Sequence, residues 1–214
     1  MSEPYAAMAR LHLEPAALRR YLAAAPRPLA EWTDRAELTG RHDRTGKDGG
    51  LPWSLHPAPD HGTVARWLAD GDDHRAQLRA FLRTAGEPGL ARLDHDAERG
   101  VLTVVNLTVH REAFRNPLWF LALIRGAAPW TGPAGGFAVV RDHLWPGPRD
   151  RYTLGVLALA PTGARVLHPE RDAEEYAAAV RAADAEFEAT GPDGTDEDPE
   201  EWDGPDPVDV LDRL

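Results

Sequence analysis

The run PLWFLALI, residues 117 to 124, is the feature that most narrows how this chain can fold. Eight consecutive positions are apolar or proline, and Arg125 and Gly126 follow at once. Asn116 can cap a helix, Pro117 can open it, Arg125 complements its negative end and Gly126 can stop it. A helix of about ten residues is half of what a bilayer core requires, so no membrane span is expected. A helix that is apolar around its whole circumference cannot turn one face to water. Residues 117 to 124 are therefore expected at the centre of the molecule, covered by a sheet and by neighbouring helices. Exposure of Trp119 or Phe120 would instead mark a docking surface.

Around this helix the apolar period changes several times. The first third reads as helical: Pro15 opens a helix that presents Leu18, Tyr21, Leu22 and Ala25 on one face, and a shorter one follows near 29 to 38. Residues 39 to 62 are crowded with Gly, Pro, Asp and His and read as a long irregular loop. Two short helices come next, one carrying Val64, Trp67 and Leu68, the other Leu78, Phe81 and Leu82, with Asp72 as the expected cap and Gly86 as the stop.

From residue 90 the alternation is strand-like. Val101, Thr103, Val105, Leu107 and Val109 share one face of a hairpin's second strand, and a second hairpin is expected over 136 to 145 and 151 to 160. The last helix places Tyr176, Val180, Ala183 and Phe187 on one stripe, with Asp172 as its cap.

This plan predicts an α+β protein: a small, mostly antiparallel sheet of about four strands in two hairpins, covered on one side by helices, after an N-terminal helical segment. One globular domain is expected over residues 1 to 189. Residues 190 to 214 have too much charge and proline to repay the entropy of ordering, and read as a disordered acidic tail.

Charge sharpens that division. The net charge is -11, yet residues 1 to 169 carry +3 while 170 to 214 carry -14. A near-neutral body with an acidic end should be repelled by phosphate backbones, so nucleic-acid binding is expected only if the arginines gather on one face and the tail modulates it. The 23 arginines against a single lysine, Lys47, suggest a high-GC bacterium. There is no cysteine, which excludes disulfides, thiolate metal sites and thiol nucleophiles, and makes the cytoplasm the expected location. The first residues also lack the basic and apolar regions of a secretory leader.

Candidate chemistry is sparse. Ser2 and Ser54 are the only serines, neither in a nucleophile elbow. The 39 to 62 loop offers His42, His56 and His61 as metal ligands, but their spacing matches no known ligand pattern, so scattered polar residues are the favoured reading and no cofactor is expected. The glycines of APWTGPAGG, residues 128 to 136, lack the lysine and the strand-to-helix setting of a phosphate loop. On the sheet, Asn106 and Thr108 are candidate ligand-binding residues, beside His110, Arg141 and His143 as candidate catalytic groups, if the two hairpins are neighbours and line one polar pocket. In the tail, Val208, Leu211 and Leu214 recur every three residues and, with Trp202, are candidates for folding on a partner. The tail could alternatively cover an arginine-rich face of its own body.

The leading functional expectation is a non-enzymatic protein-binding module, a regulator, adaptor or immunity-type inhibitor, because seven tryptophans and an acidic tail suit interfaces better than chemistry. A small enzyme or ligand-binding protein using the polar His/Arg pocket is the alternative.

Overall fold

The computed structural model describes residues 5–39, 60–85, 89–109, 115–142, 153–190 and 204–214. The described strands are β1 (Tyr5–His12), β2 (Ala91–Asp96), β3 (Val101–Val109), β4 (Gly136–Asp142), β5 (Thr153–Ala160) and β6 (Gly163–Val166). They form one sheet in the order β2-β3-β1-β4-β5-β6, and every neighbouring pair is antiparallel. The architecture is thus mixed α and β, around a larger sheet than the two expected hairpins would make.

The N-terminal segment is the main correction. Residues 5 to 12 are not part of a helical region but the central strand, paired with β3 on one edge and β4 on the other. Alanine and arginine are weak strand formers, which is why the segment YAAMARLH does not read as one. Here burial decides: Ala6, Ala7, Met8 and Ala9 are all fully buried, because small side chains let helices approach the middle of the sheet from both faces. The insertion of β1 means that β1 and β2 run parallel with β3 between them, and β3 and β4 parallel with β1 between them. These are two interlocked split β-α-β units.

The helices are α1 (Pro15–Ala23), α2 (Ala36–Thr39), α3 (Asp60–Asp70), α4 (His74–Leu82), α5 (Arg115–Arg125), α6 (Ala173–Thr190) and α7 (Pro207–Arg213). Helix α5 contains the apolar run, and Leu118 to Ile124 are all buried, Phe120 completely. It lies between the sheet and α3 and α4. Its aromatic side chains interlock with those helices: Phe81 stacks on Phe120 with ring centres 4.8 Å apart, and Trp119 meets the edges of Trp67 and Phe81. Trp119 is only 7% exposed and donates its indole N–H to Gln77 Oε1 at 2.6 Å, so it is a core residue and not a docking anchor.

The sheet is covered on both faces rather than one. Leu11, Val104, Ala138, Val140 and Leu157 pack under α1, α4 and α5 in the larger core. Met8, Val105, Val139 and Val156 pack under α6 through Tyr176, Val180, Ala183 and Phe187, the stripe its sequence defines. Helix α4 is capped by Asp73, not Asp72: the Asp73 carboxylate accepts from Ala76 N–H at 2.7 Å. The β2–β3 turn is closed by Asp96, whose carboxylate accepts the amides of Glu98 and Arg99, and by Gly100 at a φ of 59°.

The tail is also corrected over its described part. Residues 207 to 213 form α7, capped by Asp206, whose carboxylate accepts from Val208 N–H at 2.7 Å. Leu211 is fully buried and Val208, Val210 and Leu214 pack against the larger core. Arg75 donates to the Leu211 carbonyl and Arg79 pairs with Asp212. The residues expected to fold on a partner fold instead on α4 and β2. Trp202 lies outside the described residues. Leu211→Ala should lower the unfolding free energy in urea by about 2–3 kcal/mol. Asp212→Asn should cost less than about 0.5 kcal/mol, since that ion pair is partly solvated.

Candidate functional site

Of the polar residues proposed from the sequence, the described ones, Asn106, Thr108 and Arg141, are not brought together. Strand β1 stands between β3 and β4, so the two hairpins are not neighbours. Asn106 and Arg141 also point to opposite faces of the sheet. Asn106 is fully buried on the α4 side, where its Nδ2 donates to the Phe81 carbonyl and to Thr84 Oγ1, at 3.3 and 3.2 Å, while its Oδ1 accepts from Thr108 N–H. Thr108 Oγ1 donates to the Ala85 carbonyl at 2.6 Å. Both side chains fasten the end of α4 to the sheet, which leaves Asn106 no amide group for a ligand. Arg141 instead faces α6, where it pairs with Asp184 and lies over the ring of Phe187 at 5.8 Å.

His42, His56, His110 and His143 lie outside the described residues, and His61 begins the first turn of α3. Among the described residues no group of three or more His, Asp or Glu side chains is placed to hold a metal.

A histidine that the sequence did not single out, His74, has the most perturbed imidazole among the described residues. His74 is 1% exposed, its ring 4.5 Å from that of Tyr21. Its Nδ1 is 2.7 Å from the Ala24 carbonyl, and since a carbonyl only accepts, Nδ1 carries the proton. Nε2 is buried with no hydrogen-bond partner among the described residues and faces Gly126, where an added Cβ would come within 2.4 Å of it. Burial pulls its pKa below the ordinary value, opposed by the Ala24 bond and by Asp73. Tyr21, donating to the Leu123 carbonyl at 3.1 Å, is pushed well above the usual tyrosine range by the same burial. Both groups sit in the closed core, so their shifts reflect packing and not catalysis.

An accessible concavity lies on the other face. Between α6 and the ends of β1 and β4 is an open groove of about 320 Å³, lined by Arg10, His12, Phe137, Leu167 and Glu175 and by a wall of alanines on α6. The groove exists because Ala178, Ala179 and Ala182 stand where the α6 stripe elsewhere carries Tyr176, Val180 and Phe187. The glycine pair below it is required by close approach. Gly135 has a φ of 67°, and a Cβ on it would lie 2.1 Å from the Leu159 carbonyl oxygen; one on Gly136 would lie 2.6 Å from that of Arg10.

Its electrostatics are uneven. Arg10 and Arg92 divide the carboxylate of Glu186 between them, one oxygen each, and Asp94 adds a second negative charge near Arg92. Burial lowers the Arg92 pKa, with Asp94 raising it and Arg10 lowering it further. At the opposite wall Glu175 pairs with Arg165. The lining offers a guanidinium and an imidazole beside apolar surface, a combination suited to holding an anion with an apolar neighbour. It contains no hydroxyl or thiol side chain. Sequence reasoning missed Arg10 and His12 because it missed their strand; with residues 5 to 12 extended, period-two alternation puts both on one face.

Comparison with family models, curated proteins and solved structures found no match to this chain. No described helix is long and apolar enough to cross a membrane.

The buried imidazole sets a pH dependence. A histidine with a depressed native pKa binds more protons unfolded than folded, so stability rises with pH through that window. Unfolding free energy should therefore fall as pH drops below about 6.5, the value of an unfolded histidine. Urea titrations at about pH 7.5 and 5.5 should differ for the parent chain and differ less in His74→Gln. An equal pH slope in the variant would assign the effect elsewhere.

Proposed function

We propose that this chain is a non-enzymatic protein-binding module that acts through the groove between α6 and the ends of β1 and β4. The observation that carries this reading is the character of the groove: open, apolar along Phe137, Leu167 and the α6 alanines, and rimmed by Arg10, His12 and Glu175. An apolar floor within a charged rim is the anatomy of a recognition surface. Other polar side chains on the sheet hold helices in place: Asn106 and Thr108 secure α4, and Arg141 secures α6. A regulator, adaptor or inhibitor needs a stable framework and one accessible patch, which is the division of labour these contacts support.

The reading is tested with a photo-crosslinking amino acid introduced at Ala134, an exposed rim position, and at Arg19 on the opposite face as control. In the native host a discrete adduct should form from position 134 and not from position 19. Ala178→Trp, which fills the groove, should remove it. Equal adducts from both positions, or an adduct indifferent to Ala178→Trp, would refute the assignment.

A further inference from the structure

We propose that the groove is a seat for a chain terminus: the last residue of a partner protein, with its carboxylate on Arg10 and His12 and its apolar side chain against Phe137 and Ala178. The inference rests on the protein-binding reading above and narrows it to one kind of segment.

Charge is the first argument. Glu186 is shared by Arg10 and Arg92, one carboxylate oxygen to each, so Arg10 is held through a single oxygen and not by a two-pronged pair. Arg10 spends its Nη2 on Glu186, which leaves the other donors of its fork for a second carboxylate. The Arg10 side chain is 35% exposed, and in such a partly desolvated setting a charged hydrogen bond is stronger than in open water. His12 lies two residues further along the same strand face, about 7 Å away, so the two cationic or donor groups bracket one small anion. Its imidazole has no hydrogen bond with the described residues, and Glu175, which also lines the groove, is turned to Arg165, which it shares with Asp172.

Shape is the second argument. About 320 Å³ is at the low end of ligand-binding cavities, enough for one or two terminal residues and too small for a helix. Phe137 sits directly across the β1–β4 pair from Arg10, so apolar surface adjoins the anion seat at the distance of one residue. A chain terminus offers that juxtaposition, because its carboxylate and side chain share one Cα. An internal Asp or Glu places its carboxylate at the tip of the side chain, with no apolar group beside it.

The test titrates the full chain with N-acetyl-leucine and N-acetyl-phenylalanine, each as free acid and as primary amide, and with N-acetyl-glutamic acid α-amide as a mimic of an internal acidic residue. Amide chemical shifts report position and affinity together. The free acids should perturb Gly136, Phe137, Ala178 and Ala182 and bind about tenfold more tightly than the amides or the glutamyl mimic. His12→Gln should weaken the acids about fivefold and leave the amides unchanged, while Ala178→Trp should abolish both sets of shifts. Equal binding of acids and amides, equal binding of the glutamyl mimic, or shifts outside the groove would overturn the proposal. A partner crosslinked through Ala134 whose capture survives extension of its own C-terminus would also overturn it, while leaving the protein-binding reading intact.

Discussion

The structure depends on the pairing of β1 along both of its edges. An eight-residue strand made mostly of alanine, leucine and arginine would be marginal alone, but seated between β3 and β4 its backbone groups are satisfied on both sides. That seat joins the β2–β3 pair to the β4–β5 pair and turns two ladders into one sheet. It also sets the packing. Alanines at positions 6, 7 and 9 let α5 and its neighbours approach from one face and α6 from the other, so the apolar α5 run is enclosed without being wrapped by a larger domain.

Because β1 runs through the middle, its end opens at the boundary between sheet and α6, and the groove is placed there. Polar groups elsewhere on the sheet are committed to holding helices. Asn106 and Thr108 bind the carbonyls at the end of α4, and Arg141 with Asp184 ties β4 to α6 through a largely buried ion pair. Desolvation offsets much of the attraction in such a pair. Arg10 differs in sharing its partner with Arg92, so that one oxygen of Glu186 answers each guanidinium.

The acidic end of the chain is matched to the arginines of the body. Glu186 meets Arg10 and Arg92, Asp184 meets Arg141, Glu175 and Asp172 meet Arg165, and Asp212 meets Arg79. The -14 of residues 170 to 214 is therefore partly neutralised across layers, and α6 and α7 are drawn onto surfaces that α1 to α5 leave open. A short helix such as α7 is unstable by itself in water. Burial of Leu211 and the contacts from Arg75 and Arg79 hold it on α4 and β2.

What the sequence by itself determined was the set of elements whose period is strong. The α5 run read as a buried helix with a docking surface as its alternative, the Tyr176 to Phe187 stripe read as a core face, Pro15 marked the start of α1, and β3 and β5 alternated or ran apolar as strands do. Three things were decided by tertiary structure alone. Residues 5 to 12 became the central strand because pairing and burial on both sides outweigh weak intrinsic preference, which no local window registers. Residues 207 to 213 became a helix because their apolar side chains find a groove made by residues more than a hundred positions away. The site followed from strand order: placing β1 between β3 and β4 separated Asn106 from Arg141 and set Arg10 and His12 against α6, since which residues share a pocket is a property of the assembled sheet and not of spacing along the chain.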